Sequence, residues 1–130
     1  MSAAGKQRPK YLNVMEIRLP IAGFASILHR VSGAGLFLML PFLIWLLGLS
    51  LGTTEQFETF KAVVGNPLVL LILSGLLWAF LHHFFMGIRI LLIDIQIGVE
   101  KPAAAASAKA VMVASLALTA IFVLKLWGAY

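Results

Sequence analysis

VSGAGLFLMLPFLIWLLGLSL, residues 31–51, decides the fold: it is 21 residues without a charge. As a helix it is about 31 Å long, and the hydrocarbon core of a bilayer is roughly 30 Å thick. A backbone in lipid must satisfy its own hydrogen bonds, so such a run reads as a transmembrane helix. Two further runs lie downstream. Pro67 to Ile88 holds no formal charge, begins on a proline suited to a helix start, and contains His82 and His83. Ala110 to Leu124 is shorter, but the Ala-rich stretch from Ala103 and the residues past Lys125 to Trp127 extend it. Lys109 and Lys125 then snorkel to opposite interfaces. The reading is all-α, a single unit over 1–130 with three transmembrane helices at about 27–51, 67–93 and 105–128. The first link, Gly52 to Asn66, carries the polar, partly amphipathic segment TTEQFETFK, and the second carries Glu100, Lys101 and Pro102. No internal repeat or long linker interrupts them.

Composition agrees. Apolar residues make up 62% of the 130 residues, against roughly 45–50% in a soluble domain. Charged residues make up 12%, about half the usual share. A soluble fold this small has too little interior to hide that much apolar side chain. A soluble enzyme, a disordered tail and a nucleic-acid-binding domain are all disfavoured. The net charge of +5 reads as loops facing the cytoplasm and anionic membrane lipid, with no nucleic-acid partner. There is no cysteine, so disulfides, thiolate metal sites and iron–sulfur ligation are excluded for this chain. Residues 1–20 show no compact apolar segment ending at a small-residue cleavage site, so the first span is expected to act as the insertion signal.

Basic residues orient the spans. The N-terminal segment up to Arg30 carries five (Lys6, Arg8, Lys10, Arg18 and Arg30), one lies in the first link (Lys61), and three flank the second link (Arg89, Lys101 and Lys109). The positive-inside rule puts the N-terminus and second link in the cytoplasm, with Glu55 and Tyr130 outside.

Two polar groups interrupt the apolar pattern. SILHRVSG, Ser26 to Gly33, opens the first span. Ser26 and Arg30 share a helix face, His29 sits about 100° round, and Ser32, Gly33 and Gly35 make a small surface for a helix or flat ligand. HHFFMGIRILLID, His82 to Asp94, closes the second span. His83 lies about 24 Å along the helix from Pro67, in the cytoplasmic half, with Gly87 one turn on and Arg89 near the surface. Each feature has a plain reading: an interfacial flank, a hydrogen-bonded packing histidine, a snorkelling arginine. Together, at one depth, they also have a chemical one. A b haem needs an axial imidazole and cations for its propionates, which His83, His29 and Arg30 supply. A quinone head needs hydrogen-bond donors, which Ser26 and Arg30 supply. Spacing alone does not choose between these ligands. His82 points away from His83, so the two cannot grip one iron from above and below.

These segments resemble the cytochrome b membrane-anchor subunit of succinate dehydrogenase (succinate:quinone oxidoreductase). The resemblance rests on RPKYLNVMEIRLPIAGFASILHRVSG at Arg8–Gly33, WLLGLSL at Trp45–Leu51 and HFFMGIRILLID at His83–Asp94. It implies half of a heterodimeric six-helix anchor in the bacterial inner membrane, paired with a second small anchor subunit and sharing one haem b. It also implies an iron–sulfur subunit and a flavoprotein subunit docked on the cytoplasmic side, with succinate oxidised at the flavin and ubiquinone reduced at the membrane. By the same resemblance His83 is the axial ligand of the haem iron, His29 and Arg30 lie near the propionates, and Ser26, Ile27 and Arg30 line the quinone site. Where the family often has a second histidine after the motif arginine, this chain has Ile90, so Arg89, His29 or the partner would have to replace its contact. The alternatives are a fumarate reductase anchor and a structural membrane subunit without cofactor.

Overall fold

The computed structural model describes Tyr11, Asn13 and residues 15–129. The basic cluster of Lys6, Arg8 and Lys10, the Arg8-Pro9 opening of the motif, and Tyr130 lie outside the described residues. Four helices follow in order: α1 (Ile21–Ser50), α2 (Thr54–Val64), α3 (Pro67–Asp94) and α4 (Lys101–Gly128). There is no strand among the described residues, and α1, α3 and α4 are each long and apolar enough to cross a membrane.

The helix boundaries have local causes. Asn66 caps α3, its side-chain oxygen accepting from the Leu68 N–H at 2.9 Å, and Pro67 takes the first position, where a missing N–H costs nothing. The polar first link folds as α2. Thr53 and Gln56 form a reciprocal capping box, Glu55 sits in the first turn and Lys61 in the last, which suits the helix dipole. Between α3 and α4 the chain reverses through Gln96 and Gly98, both with positive φ (64° and 74°). Gly98 carries that backbone without strain because it has no Cβ.

α3 packs between α1 and α4. Their common core is Ala25, Met86, Ala108 and Val111. Alanine at two of these positions lets the backbones approach closely, which is how helices associate where lipid is as apolar as leucine. The outer faces expose Phe37, Leu38, Leu71, Leu91 and Leu124, a surface suited to acyl chains or other apolar helices.

Two polar ties pin α4 to α3 near its ends. Trp127 Nε1 donates to Ser74 Oγ at 3.0 Å. Arg89, only 8% exposed, donates from Nε to Ser107 Oγ at 2.9 Å and from Nη2 to the Ala104 carbonyl at 3.0 Å. Read from sequence, Arg89 is a snorkelling flank or a stand-in for the histidine missing at Ile90. The structure turns its guanidinium into α4, where it acts as a brace between helices.

Candidate functional site

The site lies where the first turns of α1 meet α3 just past its midpoint. Ala25 and His29 are one turn apart on α1, and both face α3. Ala25 is fully buried, and the His29 ring stacks on the His83 ring with centroids 4.1 Å apart and planes 9° from parallel. Ser26 and Arg30 each follow one residue later, about 100° round the helix, and so lie on the edge of that buried strip. Ser26 is half-buried; Ile27 and Arg30 are exposed.

His83 is held at one nitrogen. Its Nδ1 lies 3.0 Å from the His29 carbonyl oxygen and 3.4 Å from Ser32 Oγ. Ser32 itself donates to the same carbonyl at 2.9 Å. A carbonyl only accepts, so Nδ1 carries the proton and Nε2 keeps its lone pair. Histidines that ligate metals are held in this way, one nitrogen tied to an oxygen and the other presented to the ion.

Two glycines shape the surroundings. A Cβ on Gly33 would lie 2.7 Å from His83 Cε1 and 3.1 Å from Nδ1, so the imidazole occupies the space a side chain would need. The sequence reading of Gly33 as a surface for a helix or flat ligand thus takes a definite form: the flat group is the ring of His83. Gly35 meets nothing within 4 Å in this chain. Gly87, one turn on from His83, faces His29, whose Nε2 would lie 4.0 Å from a Cβ there.

That His29 Nε2 is buried and has no hydrogen-bond partner. A buried imidazole nitrogen without a partner is costly and calls for a group to satisfy it. Among the described residues no three His, Cys, Asp or Glu side chains gather to enclose a bare metal ion. The donor set is therefore one oriented imidazole, one unpartnered imidazole nitrogen beside it and one exposed guanidinium close by. Those residues fit a haem: an axial donor, and polar groups of the kind its propionates require.

His82, left unassigned by sequence reasoning, is wholly buried and bonds through Nε2 to the Ala25 carbonyl at 3.2 Å. The plain reading of a hydrogen-bonded packing histidine describes it, but the acceptor, a backbone oxygen of another helix, is not legible in the sequence. The Arg89 brace escapes sequence reading for the same reason.

Fold and site together define a multi-pass membrane protein of three spans with a histidine centre between α1 and α3. Residues 4–122 match the family described as succinate dehydrogenase/fumarate reductase transmembrane subunit. The succinate dehydrogenase cytochrome b556 subunit of Paracoccus denitrificans is 30% identical over 114 residues, covering 88% of this chain and 88% of that one. The subunit of the same name from Coxiella burnetii (strain RSA 493 / Nine Mile phase I) is 33% identical over 110 residues, covering 84% and 88%. The chain belongs to this transmembrane-subunit family, on the succinate dehydrogenase cytochrome b side of it.

Proposed function

We propose that this chain anchors a succinate:quinone oxidoreductase to the bacterial inner membrane, shares one haem b with a second small anchor subunit, and forms part of the ubiquinone-reducing site. The N-terminus and the α3–α4 link face the cytoplasm, where an iron–sulfur subunit and a flavoprotein subunit dock. The observation that carries this reading is the tethered His83, with Nδ1 bound to the His29 carbonyl at 3.0 Å and Nε2 left as a donor. The family name covers fumarate reductase as well, and both relatives are named for succinate dehydrogenase, which is the direction taken here.

Each residue has a separate task. His83 would hold the haem iron through its Nε2, together with a ligand from the partner subunit. His29 and Arg30 would hold the propionates, which would satisfy the unpartnered Nε2 of His29. When bound, the haem supplies one-electron redox chemistry within the membrane. Ser26 and Arg30, one turn apart, direct a hydroxyl and a guanidinium at one quinone carbonyl oxygen, and Ile27 adds an apolar wall. Hydrogen bonds to that oxygen strengthen as negative charge gathers on it during reduction, so donors held in place favour the reduced form. The chain lacks cysteine and performs none of the succinate chemistry; its contribution to catalysis is the quinone end.

Substitution of the quinone donors tests this. A hydrogen bond to a charged group contributes about 1.5–3 kcal/mol, so Ser26→Ala and Arg30→Leu should each lower succinate-to-ubiquinone turnover roughly 10- to 100-fold. Succinate oxidation with a water-soluble acceptor that draws on the flavin or clusters should persist. Flavin and haem contents establish that the variants assemble. Normal quinone kinetics in both assembled variants would remove Ser26 and Arg30 from the site. Equal loss of both activities would mark Arg30 as an assembly residue.

A further inference from the structure

His82 and His83 make parallel attachments. His82 Nε2 donates to the Ala25 carbonyl at 3.2 Å, and His83 Nδ1 donates to the His29 carbonyl at 3.0 Å. The two acceptors are one turn apart on α1. Consecutive side chains leave α3 about 100° apart, so they can meet one line of α1 only by reaching it differently. His82 does so at full length, through the nitrogen farthest from its backbone. His83 does so through the nearer nitrogen, which leaves its far nitrogen free.

The His82 ring is fully enclosed. Trp78, one turn earlier on α3, stacks on it with centroids 5.2 Å apart and planes 25° from parallel. Ala25, the residue that accepts its bond, has no exposed surface and belongs to the three-helix core. His82 Nδ1 is buried without a partner, so the histidine is retained there at a cost that a plain apolar side chain would avoid. All the polar groups that hold His83 lie on α1: the His29 carbonyl, the His29 ring and Ser32. Any slide or rotation of α3 on α1 therefore moves the His83 ring relative to what holds it.

We infer that His82 is a positioning residue for His83: its bond to the Ala25 carbonyl fixes the height and rotation of α3 on α1, and so the plane of the His83 imidazole. This rests on His83 being the haem ligand. The plane and basicity of an axial imidazole govern the electronic properties of low-spin iron, so the effect of His82 is read at the haem.

The test uses the whole purified complex. His82→Phe keeps a ring against Trp78 but cannot donate to Ala25; His82→Gln keeps an N–H donor. Ala25→Val thickens the same contact without altering either histidine. At full haem content, His82→Phe and Ala25→Val should shift the low-spin haem electron paramagnetic resonance g values and the haem midpoint potential, and His82→Gln should restore both toward wild type. If His82→Phe does not accumulate, Ala25→Val decides. Unchanged g values and potential in the assembled variants would overturn the inference. His83→Ala serves as the reference: a haem indifferent to His83 would sink the ligand assignment itself, whereas a haem that responds to His83 and ignores His82 sinks only the role given to His82.

Discussion

Replacing His83 with alanine should strip the complex of its normal haem. The imidazole is held through Nδ1 with Nε2 left free, whereas the unpartnered nitrogens of the other two histidines, His82 Nδ1 and His29 Nε2, are both buried. With the axial donor gone, the partner's ligand alone would hold the iron, in an altered coordination. The expected result is a large loss of haem per complex, or a retained haem with a shifted α-band and potential. His82→Ala should leave the haem ligated, though displaced. Wild-type haem content, spectrum and potential in His83→Ala, with haem lost in His82→Ala, would reverse the assignment of the two histidines.

A comparable loss should follow from a change that touches no polar group. Gly33→Val places a branched side chain where the His83 ring lies, starting from a Cβ 2.7 Å from Cε1. Either the ring swings away and breaks its bond to the His29 carbonyl, or α1 and α3 separate. Overpacking of this kind costs about 1–3 kcal/mol, and here it falls on the proposed haem ligand. Haem content should drop steeply in Gly33→Val and the spectrum should shift in Gly33→Ala. Gly35→Ala is the control, because a Cβ there meets nothing within 4 Å of this chain. Haem that is normal in Gly33→Val would show that the ring does not sit over Gly33 in the assembled complex.

The three spans are legible because lipid imposes a coarse rule, a long run without charge, and 31–51 and 67–88 obey it plainly. α4 is legible only once its alanines and lysine stems are counted with its 15 uncharged residues. The segment TTEQFETFK reads as polar and partly amphipathic; its folding as a capped helix depends on Thr53 and Gln56 bonding reciprocally, a local signal that the sequence does carry. His83, His29, Ser26 and Arg30 stand out because polar groups near a span need a reason. The use of His82 and Arg89 does not. Both bond to groups on other helices, Ala25 on α1 and Ala104 with Ser107 on α4, and helix-to-helix register is set by packing across the whole interface. Gly87 shows the same limit. Periodicity puts it on the His83 face, and what borders it is set by α1, which brings His29 Nε2 to 4.0 Å from where a Cβ would lie.

If this chain holds a haem through His83 as the anchor of a succinate-oxidising complex, that haem accepts electrons from succinate. The most direct measurement is the reduced-minus-oxidised absorption spectrum of the purified complex, reduced with succinate, with haem and flavin quantified in the same sample. A b-type α-band should develop on adding succinate, with one haem for each flavin. A complex that oxidises succinate and contains this chain, yet shows no b-type band under any reductant, would contradict it and leave the chain a structural membrane subunit.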